Sequence, residues 1–436
     1  PVPDSALVDS IVPRPSAPAT TKISPVSLIV DAKFESDWKR YTERAISESH
    51  NKFYGIDDSI RFRNLNNKQT LDSVLFRQFK ANVGLSLNEE FNKVLKFGFV
   101  PYFAFDLKSY HYTDGKMLYS QMDEVFLKEN KINTDDYTDS MGYIGRPLWA
   151  ENQPLKMGIG ANLSKHSGSH FFYDILGEYY FLDEKKTGSS FLLAGSVSTL
   201  FDIKGKMPVS VEGHFSLENK CPDYFEDFYY SNYLSWNNDF DNKREMKISG
   251  DIKLPKIGLS GSVGYVNLGN YIYFDKFGMP KQSSDAQNVF YVKVREDLKL
   301  WWLRWNNEIC YQATSDDYVL PLPSFSWYSN FFIQTPSIFK KSLTMQIGVD
   351  CRYYSKYYAQ GYMPATGMFC SQNDKEYGGY PLLNAYASAK LKILKMFVVW
   401  NHLNREMGNN RNYMASPGYP MSTSFVRMGI SVEFDD

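Results

Sequence analysis

Apolar and polar residues alternate with a period of two in segment after segment of this chain. No other feature restricts the fold as much. A period of two places neighbouring side chains on opposite faces of a sheet. The C-terminus is the clearest case. Val426, Met428, Ile430, Val432 and Phe434 share one face, and Arg427, Gly429, Ser431 and Glu433 share the other. Residues 155–164 repeat it, with Leu155, Met157, Ile159, Ala161 and Leu163 against Lys156, Gly158, Gly160, Asn162 and Ser164. Residues 207–218 and 245–254 do the same. Each segment has about the 9–11 residues that a tilted strand needs to cross a bilayer's hydrocarbon.

A soluble sandwich also alternates, with one wet face. Two features favour a barrel. Many of the segments are longer than the roughly 5–6 residues usual in soluble sheets. The connections also alternate between short and long. Strands are expected near 26–37, 76–88, 93–108, 153–164, 169–182, 190–203, 207–219, 243–254, 257–274, 287–298, 301–313, 324–335, 342–354, 382–393, 395–404 and 424–434. The connections at 89–92, 165–168, 204–206, 255–256, 299–300, 336–341 and 394 are short. Those at 38–75, 109–152, 220–242, 275–286, 355–381 and 405–423 are long. Outer-membrane barrels have short periplasmic turns and long external loops, and an even strand number. The expectation is an all-β protein, an antiparallel transmembrane β-barrel of roughly sixteen strands (roughly 14–18). Both termini are then periplasmic.

Composition agrees. Aromatic residues make up 16% of the chain, with 32 Tyr and 31 Phe, and membrane barrels use such residues in girdles at both interfaces. The mean hydropathy is −0.40, and no run approaches the ~18 apolar residues of a membrane-spanning helix. A barrel spreads its apolar residues over alternate positions, so a low mean is compatible with it. Acids and bases nearly cancel, at a net charge of −1, which gives no sign of a nucleic-acid partner. Residues 1–25, rich in Pro, Ser, Thr and Ala, read as the flexible leader of a processed or trimmed chain, and 26–436 as the barrel. Cys221, Cys310, Cys351 and Cys370 show no metal-ligand spacing and are expected to be free.

Several short motifs resemble the putative porin family of Bacteroidetes outer membranes. They include Glu90-Phe91-Asn92-Lys93 leading into Lys96-Phe97-Gly98, and the aromatic stretch 221–240 with Ser231-Asn232 and Trp236-Asn237. Gly269-Asn270-Tyr271-Ile272-Tyr273-Phe274, Tyr311-Gln312 and Val319-Leu320-Pro321-Leu322-Pro323 follow. The segment from Tyr357 through Tyr362-Met363-Pro364-Ala365-Thr366-Gly367 to Gly379-Tyr380-Pro381 is most similar, and Tyr419-Pro420 closes the set. The resemblance runs from about residue 26 to the end. Family members look longer at the N-terminus, a part missing here. The resemblance implies an outer-membrane barrel with a porin role and carries over no catalytic residues.

The polar parity holds charges of both signs: Lys156, Glu212, His214, Lys247, Asp251, Lys293, Arg295, Arg304, Glu308, Asp350, Arg352, Arg427 and Glu433. Facing lipid, a basic residue at the midplane costs about 2–4 kcal/mol, so these are the pore-lining candidates. Their mixed signs point to weak charge selectivity. Trp301 and Trp305 suit an interfacial girdle, and Trp302, on the inward parity, is the better candidate for ligand contact. His166 and His170 straddle Gly168 in a turn and do not form a helical metal pair. His214 and Ser216 share a strand face, with Glu212 or Glu218 as a conceivable orienting carboxylate for a hydrolase; polar wall residues are the plainer reading. The acidic clusters at 135–139 and 237–242 read as solvated loop, with divalent-cation sharing with lipopolysaccharide as a hypothesis.

The expected function is a porin-like channel for passive diffusion of small solutes. It is not an enzyme and has no cofactor. The alternative is a non-conducting barrel serving as scaffold or subunit of a larger surface or export assembly. Expected partners are outer-membrane lipid and lipopolysaccharide, small solutes, and other outer-membrane proteins or lipoproteins held by the long loops.

Overall fold

The computed structural model describes residues 25–43, 70–89, 96–113, 117–118, 143–144, 151–152, 155–168, 170–182, 189–203, 205–230, 235–335, 343–405 and 413–432. Sixteen strands follow one another in chain order: β1 (Val26–Glu43), β2 (Thr70–Leu87), β3 (Gly98–Thr113), β4 (Leu155–Lys165), β5 (Phe171–Leu182), β6 (Ser190–Ile203), β7 (Met207–Lys220) and β8 (Lys243–Leu254), then β9 (Leu259–Gly269), β10 (Gln287–Leu300), β11 (Leu303–Thr314), β12 (Phe325–Gln334), β13 (Leu343–Tyr354), β14 (Leu382–Leu391), β15 (Leu394–Asn401) and β16 (Phe425–Val432). Each pairs antiparallel with the next in an uninterrupted meander. The two-residue piece Glu151–Asn152 adds to the far end of β3. All sixteen expected strands are present.

Register keeps the two faces separate from strand to strand. Val30 lies opposite Val83, Val83 opposite Phe103, and Phe103 opposite Ile159. Val292 faces Val263 and Tyr311, and Met428 faces Val398. A slip of one residue would turn a strand's apolar set to the other side. This apolar face is exposed: Leu28 is 67% accessible, Phe34 65% and Met428 74%. So long a row of exposed aliphatic and aromatic side chains would aggregate in water and is stable against lipid.

The opposite face carries the polar residues and a recurrent glycine–aromatic packing. The Tyr291 ring of β10 lies over Gly264 of β9, where an added Cβ would come within 2.4 Å of it. Tyr102 covers Gly160, Tyr386 covers Gly348 and Phe397 covers Gly429 in the same way. The missing Cβ lets each ring lie flat along the neighbouring strand.

The short turns cluster at one end of the sheet. Gly258 has φ +68 and its carbonyl accepts from Asp297 N at 2.7 Å, an approach that only glycine allows. Trp301 takes φ +52, at a cost of about 1–3 kcal/mol for a non-glycine residue. Trp301 and Trp302 therefore form the hairpin tip, although periodicity alone places them inside a strand. Trp301 is 84% exposed. Trp305 alone of the three lies on the apolar face of β11, its Nε1 donating to Ser329 Oγ at 2.9 Å.

A second departure lies at 257–274, expected as one strand. The ladder stops at Gly269, and Asn270 turns the chain with φ +54. Asn tolerates this left-handed conformation better than most residues. Ile272–Phe274 then leaves the barrel wall for a separate small sheet.

Candidate functional site

The site has two parts, a polar wall and a cap built from the long connections. Register places twelve of the thirteen charged candidates on the face opposite the apolar band, and Glu433 lies outside the described residues. Their neighbours are other polar groups. Glu212 stands opposite Asp251 in the β7–β8 ladder, an unfavourable like-charge pair. Lys253 Nζ offsets it at 3.3 Å from Glu212, and His214 Nε2 lies 3.1 Å from Asp251 and 3.6 Å from Glu212. Both carboxylates thus address the same ring nitrogen of His214. Lys247 contacts Glu245, and Arg295 Nε lies 3.3 Å from Asp297. Arg295 stands opposite Glu308 and Lys293 opposite Cys310. Lys156 sits 4.0 Å over the Tyr180 ring, and Arg352 5.7 Å over Tyr328. Asp350 accepts from Asn384 Nδ2 at 2.9 Å.

These charges are partnered yet remain wet. The side chain of His214 is 40% exposed, that of Lys253 54% and that of Arg295 56%. They are also unevenly spread. On β5–β7 the polar face carries Asp174, Glu178, Asp202, Glu212 and Glu218 against Lys220. On β13–β16 it carries Arg352, Lys390, Lys395 and Arg427 against Asp350. Five strands, β8–β12, separate the two groups in the meander.

The cap holds most of the molecule's buried hydrophobic side chains among the described residues. Tyr229, Trp236, Phe274, Met363, Ala365 and Cys370 form one cluster, with Tyr41, Phe225, Met279 and Met368 packed against it. Three connections supply it. Residues 221–242 contribute a one-turn helix α1 (Tyr224–Asp227) and a hairpin of Phe228–Tyr230 with Ser235–Asn237. Residues 270–286 and 355–381 share a four-stranded sheet, joined by the parallel contact of Phe274 with Cys370. Tyr229 Oη donates to Ala365 O at 3.0 Å, and Trp236 Nε1 to Phe225 O at 3.0 Å. The Tyr229 and Trp236 rings stack at 4.7 Å. Buried Gln372 is fully engaged: its amide donates to Ala359 O and Lys375 O, and its carbonyl accepts from Asp374 N and Lys375 N.

The cap rests on the polar side of the first strands. Tyr110 of β3 stacks on Tyr224 at 3.9 Å and meets Phe225 edge-on at 5.4 Å. Lys39 of β1 sits 5.4 Å over Tyr229, and its ammonium lies against Gly367, whose φ of +70 brings that backbone close. A connection anchored on β13 and β14 therefore reaches β1. At the cap's edge, Lys243 binds Glu226 at 2.7 Å and Asp223 at 3.2 Å. Against its own desolvation, Asp223 is held below the ordinary carboxylate range by Lys243, with Lys220 and Lys108 adding to the effect. Burial raises Glu226, with the Asp223 charge adding and Lys243 opposing.

Sequence periodicity misses the cap, since loops have no period, and it misses buried His402. That ring donates from Nδ1 to Ser422 O at 2.7 Å, which leaves Nε2 to accept from Tyr380 Oη at 2.9 Å. The four cysteines are free, Cys310 on the polar face and Cys351 on the apolar one. Among the described residues no cluster of His, Cys, Asp or Glu could hold a metal, and the His166–His170 pair forms none.

The sequence profile of the family described as "Putative porin" matches residues 17–436. The chain belongs to that family. The match begins ahead of β1, inside the segment expected to be leader. No curated protein matches the sequence. Among solved structures, the fold is similar to a mutant ferric enterobactin receptor from Pseudomonas aeruginosa, with 12% identity and a TM-score of 0.57 over 93% of this chain. It is also similar to the FrpB iron transporter from Neisseria meningitidis (11%, 0.56, 93%) and the siderophore receptor PirA from Acinetobacter baumannii (10%, 0.55, 94%). In each case the chain covers 60% of the other protein. At this identity the likeness concerns the fold alone: the family member is an outer-membrane β-barrel.

Proposed function

We propose that this porin-family barrel is a non-enzymatic channel for passive diffusion of small polar solutes, with a mouth narrowed by the cap. One observation carries the reading most: the charged side chains on the polar face stay in contact with water, the bases about half exposed and their carboxylate partners about a quarter to a third, as they would around a water-filled path. The flat Tyr rings over Gly160, Gly264 and Gly348 keep bulk away from the path. The acidic β5–β7 wall and the more basic β13–β16 wall set up a transverse field, with little net preference for either sign. The long connections, and with them the cap, face the cell exterior, and the short turns face the periplasm.

Single-channel recording in planar bilayers tests this. Stable steps with a small reversal potential in a salt gradient are expected. Silence from folded, heat-modifiable protein would overturn the channel reading. That result would favour a barrel that serves as a scaffold in a larger assembly, a reading supported by the cap's folded aromatic core. Stoichiometric partners would then have to co-purify from native membranes.

A further inference from the structure

Polar residues interrupt the apolar face at Glu296, Asn307 and Ser329 and at Arg244, Asn267 and Asn288, and also at the long-connection end of β1–β3. There the outward positions are polar: Ser36 and Arg40 on β1, Ser73 and Arg77 on β2, and Ser109 on β3. Register sets Arg77 between Ser36 and Ser109, and Arg40 opposite Ser73. Trp38 sits among them, its Nε1 donating to Ser73 Oγ at 2.6 Å, with the Arg40 guanidinium 5.7 Å from the ring centre. Arg40 and Arg77 are both exposed. Directly below lies an apolar row of Phe34, Phe79 and Leu107. The patch thus stands at the upper rim of the apolar band, where an interfacial Trp belongs.

Further down the same face runs an open apolar groove of about 860 Å³. Its floor is made of Ala161 and Gly177, and its sides include Leu28, Val83, Phe103 and Tyr179. Arg77 is six residues above Val83 on one strand, about 20 Å at the rise of a strand. Two cations above an apolar wall that leads down to this groove match a lipid with an anionic head and extended acyl chains.

We propose that Arg40 and Arg77 bind the phosphate of a phosphorylated glycolipid of the outer leaflet, its acyl chains running down over Phe34, Phe79 and Leu107 toward the groove. Guanidinium groups pair with phosphate through parallel charge-assisted hydrogen bonds, and Ser36 and Ser109 can add hydroxyl donors. Arg40 and Arg77 stand four positions apart along the β1–β2 ladder, about 13 Å, within reach of one phosphate for side chains of this length, and a phosphate there removes the cost of holding two cations at a lipid boundary. The site rests on the orientation given above, cap outward, and is independent of whether the barrel conducts.

The test is retention of bisphosphorylated lipid A by the purified full chain in detergent, read by native mass spectrometry. Wild-type protein is expected to retain it at least tenfold better than the R40Q/R77Q double variant. Arg77→Lys is expected to keep an intermediate share, and Arg244→Gln, on the outward face of a distant strand, to match wild type. Heat-modifiability verifies that each variant is folded. Equal retention by wild type and R40Q/R77Q, or equal retention of lipid A stripped of its phosphates, would overturn the proposal. So would equal retention of phosphatidylglycerol, which would reduce the patch to a general anionic-lipid contact. Silent bilayers with intact lipid selectivity would sink the channel reading and leave this site standing.

Discussion

Tyr110→Ala is the substitution that most directly probes the cap. Tyr110 is buried on the polar side of β3, stacked at 3.9 Å on Tyr224 and edge-on at 5.4 Å to Phe225. Both contacts join the cap to the wall. Each aromatic pair contributes about 0.5–1.5 kcal/mol beyond area burial. Losing two weakens docking by about 1–3 kcal/mol, a roughly 5- to 150-fold shift toward an undocked cap. Tyr110→Ala also removes the wall's own ring contact with Phe76 at 5.1 Å, but the backbone ladders are untouched, so the barrel should still fold, and Tyr110→Phe should keep all three ring contacts. In planar bilayers Tyr110→Ala should show longer open dwell times or a larger unitary conductance than wild type, and Tyr110→Phe should not. If folded Tyr110→Ala matched wild type in conductance, noise and dwell times, the cap could not be narrowing the mouth through this contact.

Gly264→Ala places a methyl group within 2.4 Å of the Tyr291 ring. It should destabilise the barrel by about 1–3 kcal/mol, read as a lower heat-modification temperature, and adding Tyr291→Ala should recover part of the loss. In liposomes, a membrane-impermeant maleimide should label Cys310 well ahead of Cys351; the reverse order would invert the assignment of faces. The Cys370 thiol, in the cap, is pushed up to about 12 by burial, with the Asp275 charge adding. Only about one such thiol in ten thousand is ionised at pH 8, so Cys370 should resist thiol reagents at that pH until the protein is unfolded. Because the Asp223 pKa is lowered on folding, the stability it lends the cap is present above the ordinary carboxylate range and lost as pH falls through the lowered value. The Asp223→Asn variant should therefore lose cap stability at neutral pH and show a smaller acid effect, read as current noise against pH.

Much of the barrel is legible in the alternation of the sequence. Parity alone sets Lys156, Arg295 and Arg427 apart from Ile159, Val294 and Met428, and strand pairing keeps that division. The departures fall where local pattern and tertiary context part. Residues 257–274 read as one strand, but Ile272 and Phe274 stand on the opposite parity to Val263 and Tyr265 and are buried in the cap, not against lipid. Trp301 and Trp302 continue a parity, yet a two-residue turn passes through them. Of the site, the wall is readable and the cap is not. The cap joins Trp236, Phe274 and Cys370 across connections far apart in sequence.

Strand number, the two faces and the membrane setting follow from the sequence alone, because a period of two is a local property of each segment. Two things were decided only by the tertiary structure: that three long connections share one aromatic core, and that this core docks on Lys39 and Tyr110. Each depends on contacts between segments separated by tens to hundreds of residues, and no local periodicity encodes such contacts.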